Sequence, residues 1–416
     1  MKKLLLLLLL PLSLLAQPTV RSNMSQFTPS LVLNFTQGTL PVGLTFTRSS
    51  VATYFDASGV MQTAGVNQPR FDYDPVTHVT NGILIEESRT NSISGAEMTG
   101  GVIGGNFPTG WSFSVSNATI TAQITNIYVD PRNRKCIVVA FSGTASGTSY
   151  PRFRFPLVSA SNGQTWTASL TVKSVTSNYP ITTYLEEQGG AYAGTGISIP
   201  LIQTEQKLSV TRTLSNSTTT GLSWIIGPNL TTGQTWNASI EICCPQLEQG
   251  AFPTSYIPTT SAAVTRGADV CSTPMSNWWN PNQGTFLAEW MGGRSSGQDY
   301  RGCIISTSNA NAFLGMRLPA EMETWNGTSN LIASGLSTNY NITFGKAVFS
   351  YDNNLLARTL VASGTTVSGS YTGLYSGTVL YLGSRGGNNQ WMNGYIRKIT
   401  YYPRRLSNSY LQSLTQ

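Results

Sequence analysis

Short stretches of alternating hydrophobic and polar residues recur along most of the chain, separated by turns rich in Gly, Asn, Asp and Pro. In NGQTWTASLTV, which begins at Asn162, the alternation places Trp166, Ala168 and Leu170 on one face and polar residues on the other. A similar stretch, TGQTWNASIEI, begins at Thr232. This alternation predicts β-strands that are buried on one side. The similarity of the two stretches suggests matching strands in the two halves of a sandwich.

The pattern changes only at the C-terminal end of the chain. There Leu406, Tyr410, Leu411 and Leu414 follow helical spacing, and Ser407 is available as an N-cap. We predict one short C-terminal helix that covers the end of a sandwich.

Composition supports an all-β fold. Hydrophobic residues make up 40% of the chain, but charged residues make up only 10%, and the chain contains 40 glycines. Such a composition suits many short strands joined by tight turns, and 416 residues are enough for two or three domains. The predicted fold is a series of tandem β-sandwich jelly rolls with a small N-terminal β-module and a short C-terminal helix.

The segment QLEQGAFPTSYIPTTSAAVTRGADV, residues 246–270, divides the chain. Pro253 and Pro258 favour extended backbone and cannot donate hydrogen bonds to a sheet, which is typical of a connector that crosses a domain surface. The predicted units are the following: an apolar leader at 1–16, a β-module at 17–95, a jelly roll with its connector at 96–268, and a second jelly roll at 269–416.

The first residues have the layout of a secretory signal peptide. Lys2 and Lys3 precede the apolar run Leu4–Leu15, and Ala16 offers a small residue for cleavage. The alternative is an apolar anchor that stays in an assembly. Because the run is shorter than a membrane-spanning helix, we expect no membrane span in the mature chain.

Charge and cysteine content limit the other possibilities. The net charge is +7, but the basic residues are scattered and form no stripe, so nucleic-acid binding is not expected. The five cysteines lack the paired spacing of a zinc site. Cys243 and Cys244 lie in an apolar, strand-like run, where we expect buried free thiols, whereas Cys271 and Cys303 could form a disulfide in an exported protein.

The inventory of reactive residues does not favour an enzyme. The only histidine, His78, lies in a turn, and neither a nucleophile elbow nor a metalloprotease motif is present. Glu321 and Glu323 lie two residues apart on a predicted strand near Trp325, as in a glycoside hydrolase. We interpret this pair as a solvated strand face, with a glycoside hydrolase as the alternative.

Binding is better supported, because nine tryptophans and 18 tyrosines offer flat faces for sugar rings. Polar and aromatic residues gather in three predicted loops of the last domain, where binding sites usually lie. The candidate glycan-binding residues are Asp299, Tyr300, Arg301, Trp325, Asn326, Arg385, Asn388, Asn389 and Trp391. No cofactor is predicted. Asp299, Asp352 and Asn354 could supply oxygen ligands to calcium, although their spacing matches no known calcium loop.

Three segments resemble those of a known class of proteins. The end of the chain, 381–415, resembles the end of a laminin-G-like, concanavalin-A-like jelly roll. The connector is similar to one that recurs in bacteriophage fibre, tail and head-decoration proteins, where it joins a carbohydrate-binding-module-like jelly roll to a lectin-like domain. Residues 45–91 resemble the N-terminal module of such proteins.

The resemblance implies a structural or adhesion component of a phage particle, located on the virion surface. The N-terminal module would attach to other virion proteins, and the last domain would bind cell-surface polysaccharide or glycan. Similarity to fibres implies a homo-oligomer, with a trimer as one form. Two alternatives stay open: a purely structural virion protein, and a secreted, extracellular protein that binds or degrades glycans.

Overall fold

The computed structural model describes most of the chain from residue 28 to residue 415. It leaves out the segments 177, 191–192, 293–302, 308–312, 318–320, 326–328, 334–343, 354–356, 363–364 and 371–376. The predicted leader at 1–16 lies outside the described residues. No helix in the described part of the chain has the length and apolar character needed to cross a membrane.

The described residues form thirty strands and one helix. The strands before residue 95 are β1 (Leu31–Asn34), β2 (Thr45–Thr47), β3 (Ala52–Phe55), β4 (Met61–Ala64), β5 (Phe71–Tyr73), β6 (Thr80–Ile85) and β7 (Arg89–Asn91). The next eleven are β8 (Ser112–Ser114), β9 (Thr121–Val129), β10 (Lys135–Ser142), β11 (Arg152–Arg154), β12 (Val158–Ser159), β13 (Thr165–Ser174), β14 (Tyr179–Gln188), β15 (Gly194–Leu201), β16 (Gln206–Thr213), β17 (Gly221–Gly227) and β18 (Ala238–Gln249). The remaining elements are β19 (Val264–Arg266), β20 (Val270–Pro274), β21 (Gln283–Gly292), β22 (Cys303–Thr307), β23 (Phe313–Arg317), β24 (Glu321–Trp325), β25 (Ser329–Ala333), β26 (Phe344–Asp352), β27 (Ala357–Ala362), β28 (Thr365–Ser370), β29 (Val379–Leu382), β30 (Gly394–Tyr402) and α1 (Asn408–Leu414).

Strands β8 to β18 form the first sandwich. One sheet has the order β16-β13-β18-β10-β9, and the other has the order β15-β14-β17-β11-β8, with β12 on β17. As predicted, Trp166, Ala168 and Leu170 are buried on one face of β13. The prediction that only one side is buried is wrong for this strand, because Thr167 and Ser169 on the other face are buried as well. However, the two similar segments, which begin at Asn162 and Thr232, do not lie in opposite halves of the sandwich. Strands β13 and β18 are antiparallel neighbours in one sheet.

The second sandwich combines both ends of the chain. One sheet has the order β28-β27-β26-β21-β30-β6-β5, with β1 also on β30, and the other has the order β2-β20-β29-β22-β23-β24-β25. The apolar side chains between these sheets come from both ends, for example Phe35, Ile85, Phe286 and Tyr401. The all-β prediction of tandem sandwiches is therefore confirmed.

The division of the chain differs from the predicted one. The sequence predicts a separate β-module at 17–95, but β1, β2, β5 and β6 complete the sheets of the second sandwich. Within residues 28–95, only the β3–β4 hairpin forms a sheet of its own. Strand β7 leads into the first sandwich, and β19 returns beside it as its antiparallel partner. The first sandwich is thus inserted into the second, a long-range arrangement that local patterns do not report.

The C-terminal helix forms as predicted. Ser407 is its N-cap, and the Ser407 side chain accepts a hydrogen bond from the backbone N–H of Tyr410. Leu406 and Leu411 pack with Leu287 and Val348 on the outer face of a sheet of the second sandwich. The helix therefore covers apolar side chains that this sheet would otherwise expose.

Of the predicted connector segment, 246–270, residues 250–263 form no strand, whereas the rest includes the end of β18, all of β19 and the start of β20. The segment lies at the junction of the two sandwiches, where Ser255 and Tyr256 contact Glu86 and Thr53. A buried ionic network forms where it meets β6 and β20. The Asp269 carboxylate accepts hydrogen bonds from Arg48 Nη1 at 3.0 Å, from Arg70 Nη2 at 2.5 Å and from the backbone N–H of Glu86 at 2.9 Å. The predicted seam is therefore a junction held by buried charges.

Glu86 is the second carboxylate of this network. It accepts hydrogen bonds from the backbone N–H and the hydroxyl of Ser255, and it lies 2.9 Å from both Arg70 Nη2 and Arg266 Nη1. Burial by itself would raise the pKa of Glu86, but Arg266 and Arg70 outweigh burial and lower this pKa to about 2. The carboxylate is thus charged at neutral pH.

The cysteines differ from the prediction. Cys243 is not a free thiol, because the pairing of β10 with β18 places it opposite Cys136, and the two form a disulfide. Cys244 has no disulfide partner among the described residues. No disulfide joins Cys271 to Cys303, both of which the structure describes, because β29 lies between the strands that carry them.

Candidate functional site: a groove on the first sandwich

A groove of about 690 Å³ lies on the outer face of the six-stranded sheet of the first sandwich. Such a volume falls within the range of small-molecule sites. The groove is lined by Ser114, Val115, Ser116, Tyr150, Arg152, Arg154, Tyr184 and Glu186. Because these residues lie on or beside paired strands, the backbone holds them in fixed positions.

Strand alternation explains why polar side chains reach the groove. In β11, Phe153 is buried in the core, so Arg152 and Arg154 on either side of it point outward. In β14, Leu185 is buried and Tyr184 and Glu186 flank it in the same way.

Arg152 contacts two aromatic rings. Its guanidinium carbon is 5.2 Å from the centroid of the Tyr150 ring and 4.9 Å from that of the Tyr184 ring. Both distances are within the range of cation–π contacts. Tyr150 remains 44% exposed, so part of its surface is open to a ligand.

A second pair of charges lies beside this stack. Arg154 Nη1 is 3.6 Å from Glu186 Oε2, and both side chains are partly exposed. Ile225, which is fully buried, is the neighbour of both Arg154 and Tyr184 in the sheet register. Ile225 therefore lies between the strands that carry the groove, whose lining is mainly polar and aromatic.

Two features fix the Tyr184 ring. A Cβ atom at Gly196 would lie 2.4 Å from Tyr184 Cδ1, so only glycine leaves room for the ring at this position. The Tyr184 hydroxyl also lies 3.0 Å from Asn229 Nδ2. Such preorganisation lowers the entropy that is lost on binding.

Glu187 anchors β14 from the opposite side. Its carboxylate accepts hydrogen bonds from Arg212, from the backbone N–H groups of Ser215 and Asn216, and from the Thr219 hydroxyl. Burial would raise the pKa of Glu187, but these hydrogen bonds lower it to about 2. Glu186 and Glu187 thus point to opposite faces, as neighbours in an extended strand must, and only Glu186 lines the groove.

A larger cleft of about 1180 Å³ lies between the two sandwiches. Its charged residues largely satisfy one another. Glu205 pairs with Arg132 and Arg134 on one wall, and Glu86 belongs to the buried network. In the groove, Arg152 makes no hydrogen bond or ion pair to the described residues, and this open cation makes the groove the candidate site.

The sequence predicts the glycan site in loops of the last domain. Asp299, Tyr300, Arg301 and Asn326 lie outside the described residues, and Trp325 is the last residue of β24. The loop 385–391 is described, and it forms a turn closed by a hydrogen bond from the Arg385 N–H to the Asn389 carbonyl.

Within that turn the predicted residues have different surroundings. Asn388 and Asn389 are exposed. The Trp391 indole donates to the Asp269 carbonyl at 2.9 Å and packs against the core of the second sandwich. Trp391 thus holds the loop in place, and glycan binding by this loop stays a prediction.

The residues of the enzymatic and metal alternatives lie in the second sandwich or outside the described residues. Glu321 and Glu323 both lie in β24, opposite Arg317 and Gly315 of β23. Of the three candidate calcium ligands, only Asp352 lies among the described residues.

The groove was not predicted from the sequence, although one pattern in the sequence indicates part of it. The stretch PRFRF, residues 151–155, alternates arginine with buried phenylalanine, which predicts two cations on the open face of a strand. The sequence could not show that Tyr184 and Glu186 lie across the sheet from it, because that contact depends on β17 pairing with both strands.

No family model matches the chain. No curated protein matches it either. Among solved structures it is similar to a structure described as "CBM4 structure and function", with 14% identity, a TM-score of 0.28, and coverage of 38% of this chain and 99% of that chain. It is also similar to the CBM40 of the Ruminococcus gnavus IT-sialidase, with 15% identity, a TM-score of 0.29, and coverage of 32% and 83%.

A third similar structure is domain 4 of AbnA, a GH43 extracellular arabinanase from Geobacillus stearothermophilus, solved in complex with arabinotriose. It has 16% identity, a TM-score of 0.31, and coverage of 40% of this chain and 81% of that chain.

Proposed function

We propose that the protein is a glycan-binding protein without catalytic activity, and that the groove of the first sandwich holds the sugar. The observation that carries this proposal is the stack of Tyr150, Arg152 and Tyr184 beside the Arg154–Glu186 pair. Aromatic rings offer apolar surface to the C–H face of a sugar, and the charged groups can bind its hydroxyls.

The geometry suits binding for a further reason. The groove lies on the outer face of a sheet and its side chains stand on or beside paired strands, so an extended chain of sugars could pass along the sheet without a large rearrangement. We further propose that the protein acts as a fibre or decoration component of a phage particle. The resemblance of the connector and of the C-terminal end to phage proteins supports this second part.

Binding can be tested with the purified chain on an array of oligosaccharides and by calorimetry. We expect Tyr184→Ala to weaken binding about tenfold or more, which corresponds to loss of about 1.4 kcal/mol. Tyr128→Ala is the matched control, because Tyr128 lies on the other sheet of the same sandwich. Binding that survives Tyr184→Ala unchanged would contradict the proposed site.

Location can be tested by measuring the intact mass of the native protein. Recovery of the chain from purified phage particles supports the virion role. Recovery only from culture medium, as a chain that begins near residue 17, favours a secreted glycan-binding protein. If the protein is present in particles and no glycan binds, a purely structural virion role replaces the proposal.

A further inference from the structure

We infer that the groove selects anionic glycans, which carry carboxylate or sulfate groups, and that Arg152 binds the anion. This inference rests on the proposed function and names the class of ligand for the same site. It follows from the charges that line the groove and from the unusual environment of Arg152.

The groove carries an excess of positive charge. Its lining contains two guanidinium groups, those of Arg152 and Arg154, and one carboxylate, that of Glu186. Glu186 is the partner of Arg154. Among the carboxylates that the structure describes, none lies within ion-pair distance of Arg152, so one positive charge in the groove is not compensated.

Arg152 also differs from the structural arginines of this chain. Arg48, for example, donates to Asp269 and to the carbonyl groups of Ser50, Gly65 and Gln68. Arg152 makes no such hydrogen bond to the described residues, and its contacts are with the two tyrosine rings. Its donors are therefore available to a ligand.

The two rings prepare Arg152 for this role. The two cation–π contacts restrain the guanidinium without using its N–H groups, and a planar guanidinium matches the geometry of a carboxylate or sulfate. Hydrogen bonds between charged partners are stronger than those to neutral hydroxyls. We therefore expect an anionic sugar to bind at least about tenfold more tightly than its neutral equivalent.

The test uses the full chain and matched probes. Oligogalacturonate and its methyl ester share one backbone and differ in charge, and a sulfated oligosaccharide with its desulfated form provides a second pair. We expect binding of the anionic members, weakening at higher salt concentration because the anion–Arg152 attraction is screened. Arg152→Gln should remove the preference for the anion, and Arg152→Lys should restore only part of it, because lysine lacks the planar fork.

Two further variants test whether the effect on binding comes from charge inside the groove. Glu186→Gln removes the one carboxylate of the groove and should tighten anion binding, whereas Arg404→Ala removes an exposed arginine outside the groove and should change nothing. Thermal unfolding of each variant verifies that it is folded.

Each outcome decides a different point. Binding of anionic members that is lost in Arg152→Gln supports the inference. Equal binding of both members of each pair, abolished by Tyr184→Ala, overturns the inference and leaves the proposed function intact. If no neutral or anionic member of a broad array binds, both are overturned.

Discussion

The buried network at the junction of the sandwiches makes a quantitative prediction for Asp269→Asn. Asp269 is fully buried, and its carboxylate compensates Arg48 and Arg70. The substitution keeps the size of the side chain but removes its charge. Glu86 then remains the partner of Arg70 and Arg266, whereas Arg48 loses its carboxylate partner.

The expected loss follows from the bonds that change. The amide oxygen of asparagine can still accept a hydrogen bond, but its NH2 group cannot, so the hydrogen bond from either Arg48 or Arg70, contributing roughly 1.5–3 kcal/mol, is lost. Breaking a buried ion pair typically costs about 3–5 kcal/mol. We therefore expect the free energy of unfolding to fall by about 4 kcal/mol, and the melting temperature to fall by roughly 8–16 °C for a cooperative unit of this size.

Urea unfolding followed by tryptophan fluorescence, together with calorimetry, measures this loss. Asp74→Asn is the matched control, because Asp74 accepts hydrogen bonds from the backbone N–H groups of Val76 and Thr77, which asparagine can also accept. A loss below about 1 kcal/mol in Asp269→Asn, equal to that of the control, would refute the assignment of the network as the element that holds the junction.

Two other predictions concern stability. The pKa of Glu187 is about 2 in the folded protein, below its ordinary 4.5, so its contribution is complete above pH 4.5 and is lost as the pH falls towards 2; Glu187→Gln should flatten that part of the pH–stability curve. The disulfide between Cys136 and Cys243 closes a loop with a sequence separation of 107, so replacing both cysteines with alanine should cost about 4 kcal/mol, whereas Cys244→Ala should cost much less. An unchanged urea midpoint in the double variant would contradict this expectation.

Local patterns in the sequence predicted the elements well and their partners poorly. The helix from Asn408 to Leu414 and its Ser407 cap depend on neighbouring residues, so spacing was sufficient to find them. The buried face of β13 followed from alternation for the same reason.

The remaining features depend on contacts between distant residues. The pairing of β1 with β30 joins residues more than 350 positions apart, and no local period reports it. The groove likewise needs β11 and β14 on either side of β17. Arg152 and Arg154 could be found from the sequence. The Tyr184 ring and the Glu186 carboxylate, which complete the site, could not.

The position of β30 has a consequence for biosynthesis. This strand, Gly394–Tyr402, is synthesised long after β1 and β6, yet it hydrogen-bonds to β1, β6 and β21. About 300 residues separate β6 from β30, which at 5–20 residues per second corresponds to roughly 15–60 s of synthesis. During that time the first sandwich can fold as a continuous segment, while the edges of β1 and β6 that pair with β30 remain unpaired. The edges of β1 and β6 are therefore open to edge-to-edge pairing with other chains until β30 has been synthesised.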